Sequence, residues 1–389
     1  MGGEGMKVLM IDPWGIKSVE KYTKGLCSAL GKNHSISQLF LITNYFFPQL
    51  EGEKIRVLRW FFRFSEKMER SKTRKFLRGL EYLWAYLRIY LFIRKNSFDV
   101  IHFQWLLVYR FDAFMVGVLK RYCSKLVYTA HNAKPHVKKS EKMDVLKKIY
   151  DTADEIVVHG QSVKNEIIST FGIDKEKIKI QRHGTKKIEL HNPLYEKTKE
   201  QEKIKKLIND KKMVFLCLGN MFYNKGVDRL IDIWLENDFS DCFLIIAGKK
   251  SRSYNELFER EEKIKKEENI LYIDHFVSTE LHDFFINNSD ILLVVYRHAT
   301  VSGVIFSAAE FKKPVICTDV GSLKEYVVDK KTGFIVNNNK QEIRDKMLEI
   351  KEISKERLKE MGENNFSFVN QYCNWELITQ KLVKEVYLK

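Results

Sequence analysis

Short apolar segments alternate with longer amphipathic segments along nearly the whole chain. In the first half, the apolar segments predict strands at 7–11, 36–43, 100–103, 125–130, 155–159 and 178–183. Helical periodicity between them predicts helices at 19–30, 82–95 and 162–170. Such alternation is typical of parallel sheets that are covered by helices on both faces.

The same pattern starts again after a highly charged stretch at 187–212. Strands are predicted at 213–218, 243–247, 270–273, 291–296, 315–317 and 333–336. We therefore predict an α/β protein with two facing Rossmann-like domains, 1–190 and 191–370, and a C-terminal helix at 371–389 that packs back toward the first domain. Because ligands of open parallel sheets bind at the carboxyl ends of the strands, this arrangement predicts an interdomain cleft.

Composition sets the broad class of protein. The 389 residues are 44% hydrophobic, which is ample for packed cores and excludes a disordered chain. The six cysteines lack the spacing of a metal site or a disulfide framework, and this favours a reducing compartment. No charged leader followed by a long apolar core stands at the N-terminus, so we expect a cytoplasmic protein.

The net charge of +16 is concentrated in residues 54–95, which hold thirteen Lys and Arg against three Glu. Aromatic residues are interleaved with these cations, and we expect amphipathic helices that bind an anionic membrane surface. The apolar run at 82–93 contains Arg88 and is shorter than the roughly 20 residues that a membrane span needs. A core helix with a solvated basic side is the alternative, and no nucleic-acid-binding motif accompanies the charge.

Two strand-to-helix turns in the second half have the residues that a phosphate site needs. The strand at 213–218 runs into Gly219, and Lys225 stands at the following helix start. After the strand at 291–296, small residues lead to Ser302 and Gly303 at another helix start, where backbone N–H groups attract anions. Taken singly, each turn could be a surface lysine or an ordinary Ser N-cap, but two in one domain favour a diphosphate site.

Several segments together resemble glycosyltransferase family 4, whose members have the two-domain GT-B architecture. The resemblance covers almost the whole chain and is strongest in the second half. The segments are DVIHFQW at 99–105, KLVYTAHNAKPH at 125–136, ADEIVVHGQSVK at 153–164, FLCLGNMFYNKGVDRLI at 215–231, ATVSGVIFSAAEFKKPVICTDVGSLKEYV at 299–327 and VDKKTGFIV at 328–336.

The resemblance implies roles for particular residues. It places His131 and Lys225 in catalysis, and Glu325 beside the nucleoside ribose. The full set that binds the donor would be Gly219, Asn220, Lys225, Ser302, Gly303, Val304 and Glu325. Gly15, Asn132, His136 and His183 would lie on the acceptor side. Since no Asp-x-Asp cation site is evident at a strand end, we expect no metal, and no cofactor besides the nucleotide sugar as co-substrate.

Three departures from the family pattern stand in these segments. Many members carry two glutamates in the donor loop, where Ala299 and Ser307 stand here, although a subgroup with a Ser-Gly-Val loop also lacks that pair. The common arginine near the first Gly turn is replaced by Asn220, which leaves Lys225 as the main side-chain cation for a diphosphate. The N-terminal Gly-rich turn retains only Gly15.

The expected activity is a retaining, hexosyltransferase-type transfer of a sugar from a nucleoside diphosphate to a glycan or lipid-linked glycan acceptor. The resemblance points to bacterial surface polysaccharide biosynthesis, and the basic segment to a peripheral position on the inner face of the plasma membrane. Two alternatives stay open: a non-catalytic sugar-nucleotide-binding partner of a glycan assembly complex, and another GT-B enzyme such as a nucleotide-sugar epimerase.

Overall fold

Two fully parallel β-sheets organise the chain. The computed structural model describes residues 5–16, 18–134, 140–185 and 199–389. It divides the chain into two units: the first consists of Met1–Lys186 and Tyr372–Lys389, and the second of Lys187–Gln371. Each sheet lies within a core of buried apolar side chains that belongs to its own unit.

The first unit contains a seven-stranded sheet with the order β3-β2-β1-β4-β5-β6-β7. The strands are β1 (Met6–Asp12), β2 (Ile36–Asn44), β3 (Ile55–Phe61), β4 (Phe98–Phe103), β5 (Cys123–Ala130), β6 (Glu155–Val158) and β7 (Ile178–Ile180). The helices before the second unit are α1 (Ser18–Lys32), α2 (Lys72–Lys95), α3 (Tyr109–Leu119), α4 (Ser140–Thr152) and α5 (Gln161–Phe171). The strand order reverses between β1 and β4, which are the neighbours at the centre of the sheet.

The second unit contains a six-stranded sheet with the order β10-β9-β8-β11-β12-β13. Its strands are β8 (Met213–Leu218), β9 (Cys242–Ala247), β10 (Ile270–Ile273), β11 (Ile291–Val294), β12 (Val315–Thr318) and β13 (Gly333–Val336). Its helices are α6 (Lys199–Ile208), α7 (Val227–Glu236), α8 (Asn255–Ile264), α9 (Thr279–Asn287), α10 (Gly303–Glu310), α11 (Lys340–Ile350) and α12 (Lys355–Tyr372), the last ending at the first residue of the C-terminal segment. Here the order reverses between β8 and β11.

The α/β class and the two Rossmann-like units predicted from the sequence are confirmed. Every residue of β8 and β9 is buried, as expected for central parallel strands that are covered on both faces. One strand was not predicted: residues 55–61 form the edge strand β3 within the basic segment. Its sequence, IRVLRWF, is rich in β-branched and aromatic residues, which suit a half-buried edge strand.

Helix α2 has two chemically different faces. The hydroxyl of Ser71 caps its start by accepting a hydrogen bond from the Arg74 N–H at 3.1 Å. One face is buried in the first unit through Tyr82, Ala85, Tyr86, Ile89 and Ile93. The opposite face, which we call the outer face of α2, exposes Phe76, Leu80, Leu83, Trp84, Leu87 and Leu91. In the part of the chain that the structure describes, no helix is long and apolar enough to cross a bilayer.

The C-terminal segment belongs to the first unit, where α13 (Trp375–Leu382) packs against α1. A single π-helical turn, Val383–Tyr387, follows it. The Trp375 indole lies so close to Gly25 and Gly184 that a Cβ atom at either glycine would overlap it. These two glycines therefore allow α13 to approach the carboxyl end of the first sheet.

Candidate functional site

In the second unit, the candidate residues gather at the carboxyl ends of β8 and β11, where the strand order reverses. A ligand of an open parallel sheet binds at such a reversal. The turn after β8 holds Gly219, Asn220 and Lys225, and the turn after β11 leads to Ser302, Gly303 and Val304. The predicted donor residues from both turns therefore come to the same edge of one sheet.

The turn after β8 depends on a close approach of two glycines. Gly219 has a φ of 114°, which disfavours any residue with a side chain. Gly248, after β9, has a φ of 151°, and a Cβ atom there would overlap the Gly219 carbonyl oxygen. Asn220 is exposed on this turn, so its amide is open to solvent.

Lys225 ends a short 3-10 turn, Tyr223–Lys225, directly before α7. Its Nζ lies 3.6 Å from the centre of the Tyr296 ring. Burial lowers the pKa of Lys225 to about 8, against a smaller opposing effect of the Cys217 thiol. Within the described ranges, no carboxylate pairs with this ammonium group. Among the described residues, Lys225 is thus a half-buried cation that lies against an aromatic face and has no counter-charge.

An ion pair joins the two turns. Both terminal nitrogens of Arg297 donate to the Asp228 carboxylate at 2.7 Å, and Tyr254 also donates to this carboxylate. Burial acts to raise the pKa of the Asp228 carboxyl, but the hydrogen bonds from Arg297 and Tyr254 outweigh it and hold the pKa below its usual value. Asn224 adds a second link, because its Nδ2 donates to the His298 carbonyl oxygen at 3.0 Å.

Ser302 connects the end of β11 to the start of α10. Its hydroxyl accepts from the Val304 N–H at 3.3 Å and forms a 3.0 Å hydrogen bond with the Tyr296 hydroxyl. Ser302 is therefore a true N-cap, while Gly303 borders open space in which a Cβ atom would touch nothing. The ring that lies beneath Lys225 is thus tied to the start of α10.

A third turn, after β12, lies against the donor loop. Gly321 has a φ of 54°, and a Cβ atom there would overlap the Ala299 carbonyl oxygen. Ser322 is buried, and its hydroxyl has no hydrogen-bond partner among the residues that the structure describes. Glu325 follows in the short 3-10 helix Leu323–Tyr326 and is half-buried.

In the first unit, Asp12 shapes the turn after β1. Its carboxylate accepts from the N–H groups of Trp14 at 3.1 Å and Gly15 at 3.0 Å, and from the Thr23 hydroxyl at 2.6 Å. Burial raises the pKa of Asp12 to about 6 against these hydrogen bonds. Gly15 has a φ of 41°, and a Cβ atom there would overlap the Thr43 hydroxyl, so only glycine fits.

His131 follows β5 and lies in a cluster of aromatic rings. Trp105 stacks on its imidazole with 4.0 Å between ring centres, and Tyr22 meets it edge-on at 4.8 Å. Its Nδ1 lies 3.1 Å from His159 Nε2, and its Nε2 lies 3.3 Å from the side-chain oxygen of Gln104. Burial, reinforced by the neighbouring histidines, lowers the pKa of His131 well below its usual value.

The other predicted acceptor-side residues occupy different positions. His183 contacts Tyr22 at 5.0 Å between ring centres, and burial lowers its pKa to about 3. Asn132 directly follows His131 and is half-buried. His136 lies outside the described residues. Gly15 is in the turn after β1, at the central reversal of the sheet. Within residues 5–16, 18–134, 140–185 and 199–389, no cluster of three His, Cys, Asp or Glu side chains could hold a metal ion.

Sequence reasoning missed several residues that organise these two regions. In the first unit they are Tyr22, His102 and His159, and in the second unit they are Asp228 and Arg297. A signal existed for the histidines, because a His stands within β4 and directly after β5 and β6. The pairing of Asp228 with Arg297, 69 positions apart, has no such signal.

Solved glycosyltransferase structures share this fold over nearly their whole length. HepE of Anabaena, solved in complex with UDP, has a TM-score of 0.68 at 15% identity and covers 97% of this chain and 99% of its own. A sucrose-phosphate synthase of Thermosynechococcus elongatus has a TM-score of 0.72 at 15% identity, with 97% and 98% covered. A glycosyltransferase of Rickettsia africae has a TM-score of 0.68 at 18% identity, with 99% and 98% covered. The fold is that of the GT-B glycosyltransferases.

Both units also match models of glycosyltransferase families. Residues 198–368 match the model described as "Glycosyl transferases group 1", and residues 19–186 match the one described as "Glycosyltransferase Family 4". Because both models describe glycosyltransferases and together cover most of the chain, the protein is a glycosyltransferase, as the sequence resemblance predicted.

Relatives at the sequence level include a protein of a cps region and a glycosyltransferase of capsular polysaccharide biosynthesis. An uncharacterised protein of the cps region of Klebsiella pneumoniae is 29% identical over 329 residues, which are 79% of this chain and 86% of that protein. CapM of Staphylococcus aureus, a capsular polysaccharide biosynthesis glycosyltransferase, is 26% identical over 236 residues, which are 59% of this chain and 60% of CapM.

Proposed function

We propose that this glycosyltransferase moves a sugar from a nucleoside diphosphate to a hydroxyl of a glycan or lipid-linked glycan, with retention of the anomeric configuration, during surface polysaccharide synthesis. The observation that carries the proposal is Lys225, a half-buried cation at the strand-order reversal of the second sheet that has no carboxylate partner among the described residues. A diphosphate leaving group would provide the missing negative charge.

The surroundings of Lys225 support the same ligand. Gly219 and Gly303 leave their backbone open at the ends of β8 and β11, and the start of α10 adds the positive end of a helix dipole. The buried Ser322 hydroxyl offers a further unused hydrogen-bonding group on the neighbouring turn. Preorganised groups of this kind stabilise a departing diphosphate, whose negative charge grows as the glycosidic bond breaks.

The first experiment identifies the donor. Binding of UDP-, GDP-, ADP- and dTDP-sugars is screened by thermal shift, and transfer is followed as release of the nucleoside diphosphate in the presence of acceptor. Lys225→Ala should lose binding and transfer while keeping the wild-type unfolding temperature in the absence of ligand. Lys265→Ala, which removes an exposed lysine directly after the last residue of α8, is the matched control.

The outcomes separate the proposal from its alternatives. Binding without any turnover would favour a non-catalytic sugar-nucleotide partner, and conversion of the nucleotide sugar without acceptor would favour an epimerase. If none of the nucleotide sugars binds, or if Lys225→Ala binds as well as wild type, the proposed donor site is wrong. Retention is checked by determining the anomeric configuration of the purified product by NMR.

We further propose that the outer face of α2 binds an anionic membrane, which would bring a lipid-linked acceptor to the first unit. Phe76 and Trp84 on this face are 70% and 61% exposed, unusually high values for such large apolar side chains. Exposed cations flank them, notably Arg70, Lys72, Lys75, Arg88, Arg94 and Lys95. Apolar residues that insert between cations are typical of helices that lie in an anionic lipid interface.

The structure also shows which cations already have protein partners. Arg74 and Arg78 both pair with Glu66, and Arg59 donates to the Phe47 carbonyl oxygen at 2.7 Å. Reversal of these charges would disturb the first unit itself. Removal of apolar side chains from the outer face of α2 is therefore the cleaner test of membrane binding.

The triple variant Phe76→Ser, Leu83→Ser, Trp84→Ser should lose cosedimentation with vesicles of phosphatidylglycerol and phosphatidylcholine. Each lost insertion removes up to about 1.5–3 kcal/mol of apolar burial. Leu377→Ser is the control, because Leu377 and Leu83 are each 50% exposed on a helix. Undiminished cosedimentation of the triple variant would overturn membrane binding by this face, as would a wild-type dimer that the triple variant abolishes.

A further inference from the structure

A row of hydrogen-bonding side chains crosses the carboxyl end of the first sheet. It begins at the Gln181 carbonyl oxygen, 3.0 Å from His159 Nδ1, and continues from His159 Nε2 to His131 Nδ1 at 3.1 Å. His131 Nε2 then faces the Gln104 amide at 3.3 Å. On the far side, the Gln104 amide nitrogen lies 3.2 Å from His102 Nε2, whose nearer partner is the Thr129 hydroxyl at 2.7 Å. His102 Nδ1 lies 2.7 Å from the Tyr387 hydroxyl.

Each neutral histidine carries one ring proton, and this determines which atom donates in each hydrogen bond of the row. A backbone carbonyl can only accept, so the proton of His159 must be on Nδ1. A neutral His159 then has a bare Nε2, which requires the proton of His131 to be on its own Nδ1. His131 Nε2 is consequently a bare acceptor and needs a donor. The Gln104 side-chain oxygen lies 3.3 Å from it, so the amide must turn by 180° to present its NH2 group to the ring, an exchange of O and N that leaves the other heavy atoms in place.

The neutral state of the rings follows from their surroundings. His159 is buried, and burial lowers its pKa to about 4. Burial, together with His159, His183 and His102, lowers the pKa of His131 well below its usual value. The groups packed around His131 are Tyr22 from α1, Gln104 and Trp105 after β4, and His159 after β6. None of these carries a negative charge that would hold a second proton on the imidazole.

We propose that His159 is a positioning residue that fixes the tautomer of His131, with the proton on Nδ1 and Nε2 presented as an acceptor. In its turned orientation, the Gln104 amide donates to that nitrogen from the other side. Trp105 holds the plane of the ring, because the two rings are stacked with only 3° between their planes. A ligand hydroxyl that reaches His131 would then meet an acceptor nitrogen and not an N–H group. The link to sugar transfer rests on the proposed function, whereas the proton arrangement does not.

The test is the tautomer itself, measured by ¹⁵N NMR of protein labelled in histidine. Wild type should show His131 as the Nδ1–H form alone at pH 7. His159→Phe removes the acceptor and should release His131 into a mixture of tautomers. His159→Gln supplies a side-chain oxygen as acceptor and should restore the Nδ1–H form, which loss of packing alone would not explain.

Activity provides a separate measurement. If the enzyme transfers sugar as proposed, His159→Phe should lower kcat/KM about tenfold, the usual scale for an outer partner of a functional side chain, and His159→Gln should recover most of it. An Nε2–H tautomer of His131 in wild type would overturn the inference even with full activity. The Nδ1–H tautomer in an inactive protein would support the inference and count against the proposed function. If His159→Phe does not fold, the wild-type and His159→Gln spectra decide the question.

Discussion

Arg297 and Asp228 form a two-pronged ion pair, with both guanidinium nitrogens 2.7 Å from the carboxylate oxygens, and this pair fastens the turn after β11 to the start of α7. The same guanidinium donates to the Tyr223 carbonyl oxygen at 2.9 Å, in the turn that ends at Lys225. The position of Lys225 therefore depends on a charge pair that does not itself need to touch the ligand.

Asp228→Asn should weaken both folding and donor binding. Loss of hydrogen bonds between charged groups in a half-buried setting should lower the free energy of unfolding by about 1.5–3 kcal/mol, measured by urea denaturation. Asp232→Asn is the matched control, because Asp232 lies on the same helix and forms a two-pronged pair with Arg260 that is more exposed. Asp232→Asn should lower the free energy of unfolding by less than about 1 kcal/mol and leave UDP affinity unchanged. Equal losses of UDP affinity in both variants would contradict the coupling.

Donor affinity should fall as the pH rises through about 8. The pKa of Lys225 is about 8 because the side chain is buried without a carboxylate partner, and only the protonated form attracts a diphosphate. Calorimetric titration with UDP above pH 7, where its terminal phosphate (second pKa about 6) is fully ionised, should show affinity that declines by up to about tenfold per pH unit well above 8. Lys225→Arg, which stays charged, should bind UDP without this decline. The same pH profile in both proteins would exclude Lys225 as its origin.

Because the Trp375 indole contacts Gly25 and Gly184, a larger residue at either position should destabilise the protein. Gly25→Ala and Gly184→Ala each place a methyl group where the indole lies, and each should lower the free energy of unfolding by roughly 1–3 kcal/mol. Gly117→Ala is the control, since Gly117 lies within α3 and its added Cβ would touch nothing. It should be neutral or stabilising by up to about 1 kcal/mol. If denaturant unfolding shows that Gly25→Ala or Gly184→Ala is no more destabilising than Gly117→Ala, the packing of α13 is contradicted.

Acid should destabilise the first unit through its buried histidines. Burial lowers the pKa values of His102, His159 and His183 to about 3, 4 and 3, so the unfolded chain takes up protons before the folded chain does. Each histidine therefore contributes a loss of stability as the pH falls from about 6.5 toward its folded pKa, with a slope of about 1.4 kcal/mol per pH unit. Asp12 and Asp112 oppose this loss, since burial raises both of their pKa values to about 6.

The histidine contribution can be isolated by comparison with His159→Gln. Between pH 7 and pH 4.5, the free energy of unfolding measured in urea should fall less steeply in the variant. The difference in slope should correspond to the uptake of about one proton. Identical slopes would mean that His159 is already protonated in the folded protein, in conflict with its burial.

The sequence was most informative where chemistry is local. Strand-to-helix turns with Gly219, Lys225, Ser302 and Gly303 are visible in the chain because small residues, a cation and buried strands adjoin each other. The strand β3 was missed because its two arginines interrupt the apolar pattern of IRVLRWF. Edge strands tolerate such charges on the side that faces solvent.

Long-range partners could not be found in this way. Nothing near Lys225 in the chain indicates that Tyr296 lies beneath it, and nothing near His102 indicates Tyr387, 285 positions away. Such contacts follow from the strand order, which brings the ends of β8 and β11 together and leaves the C-terminal segment beside β4. The strand order itself depends on tertiary packing and has no signature in any single segment.

The return of residues 372–389 to the first unit also sets an order of events during synthesis. The ribosome makes the whole second unit before it makes Trp375 and Tyr387. Until then, α1 has no indole against Gly25, and His102 Nδ1 has no tyrosine hydroxyl. The contact of the histidine row with Tyr387 can therefore form only after the whole second unit has been synthesised.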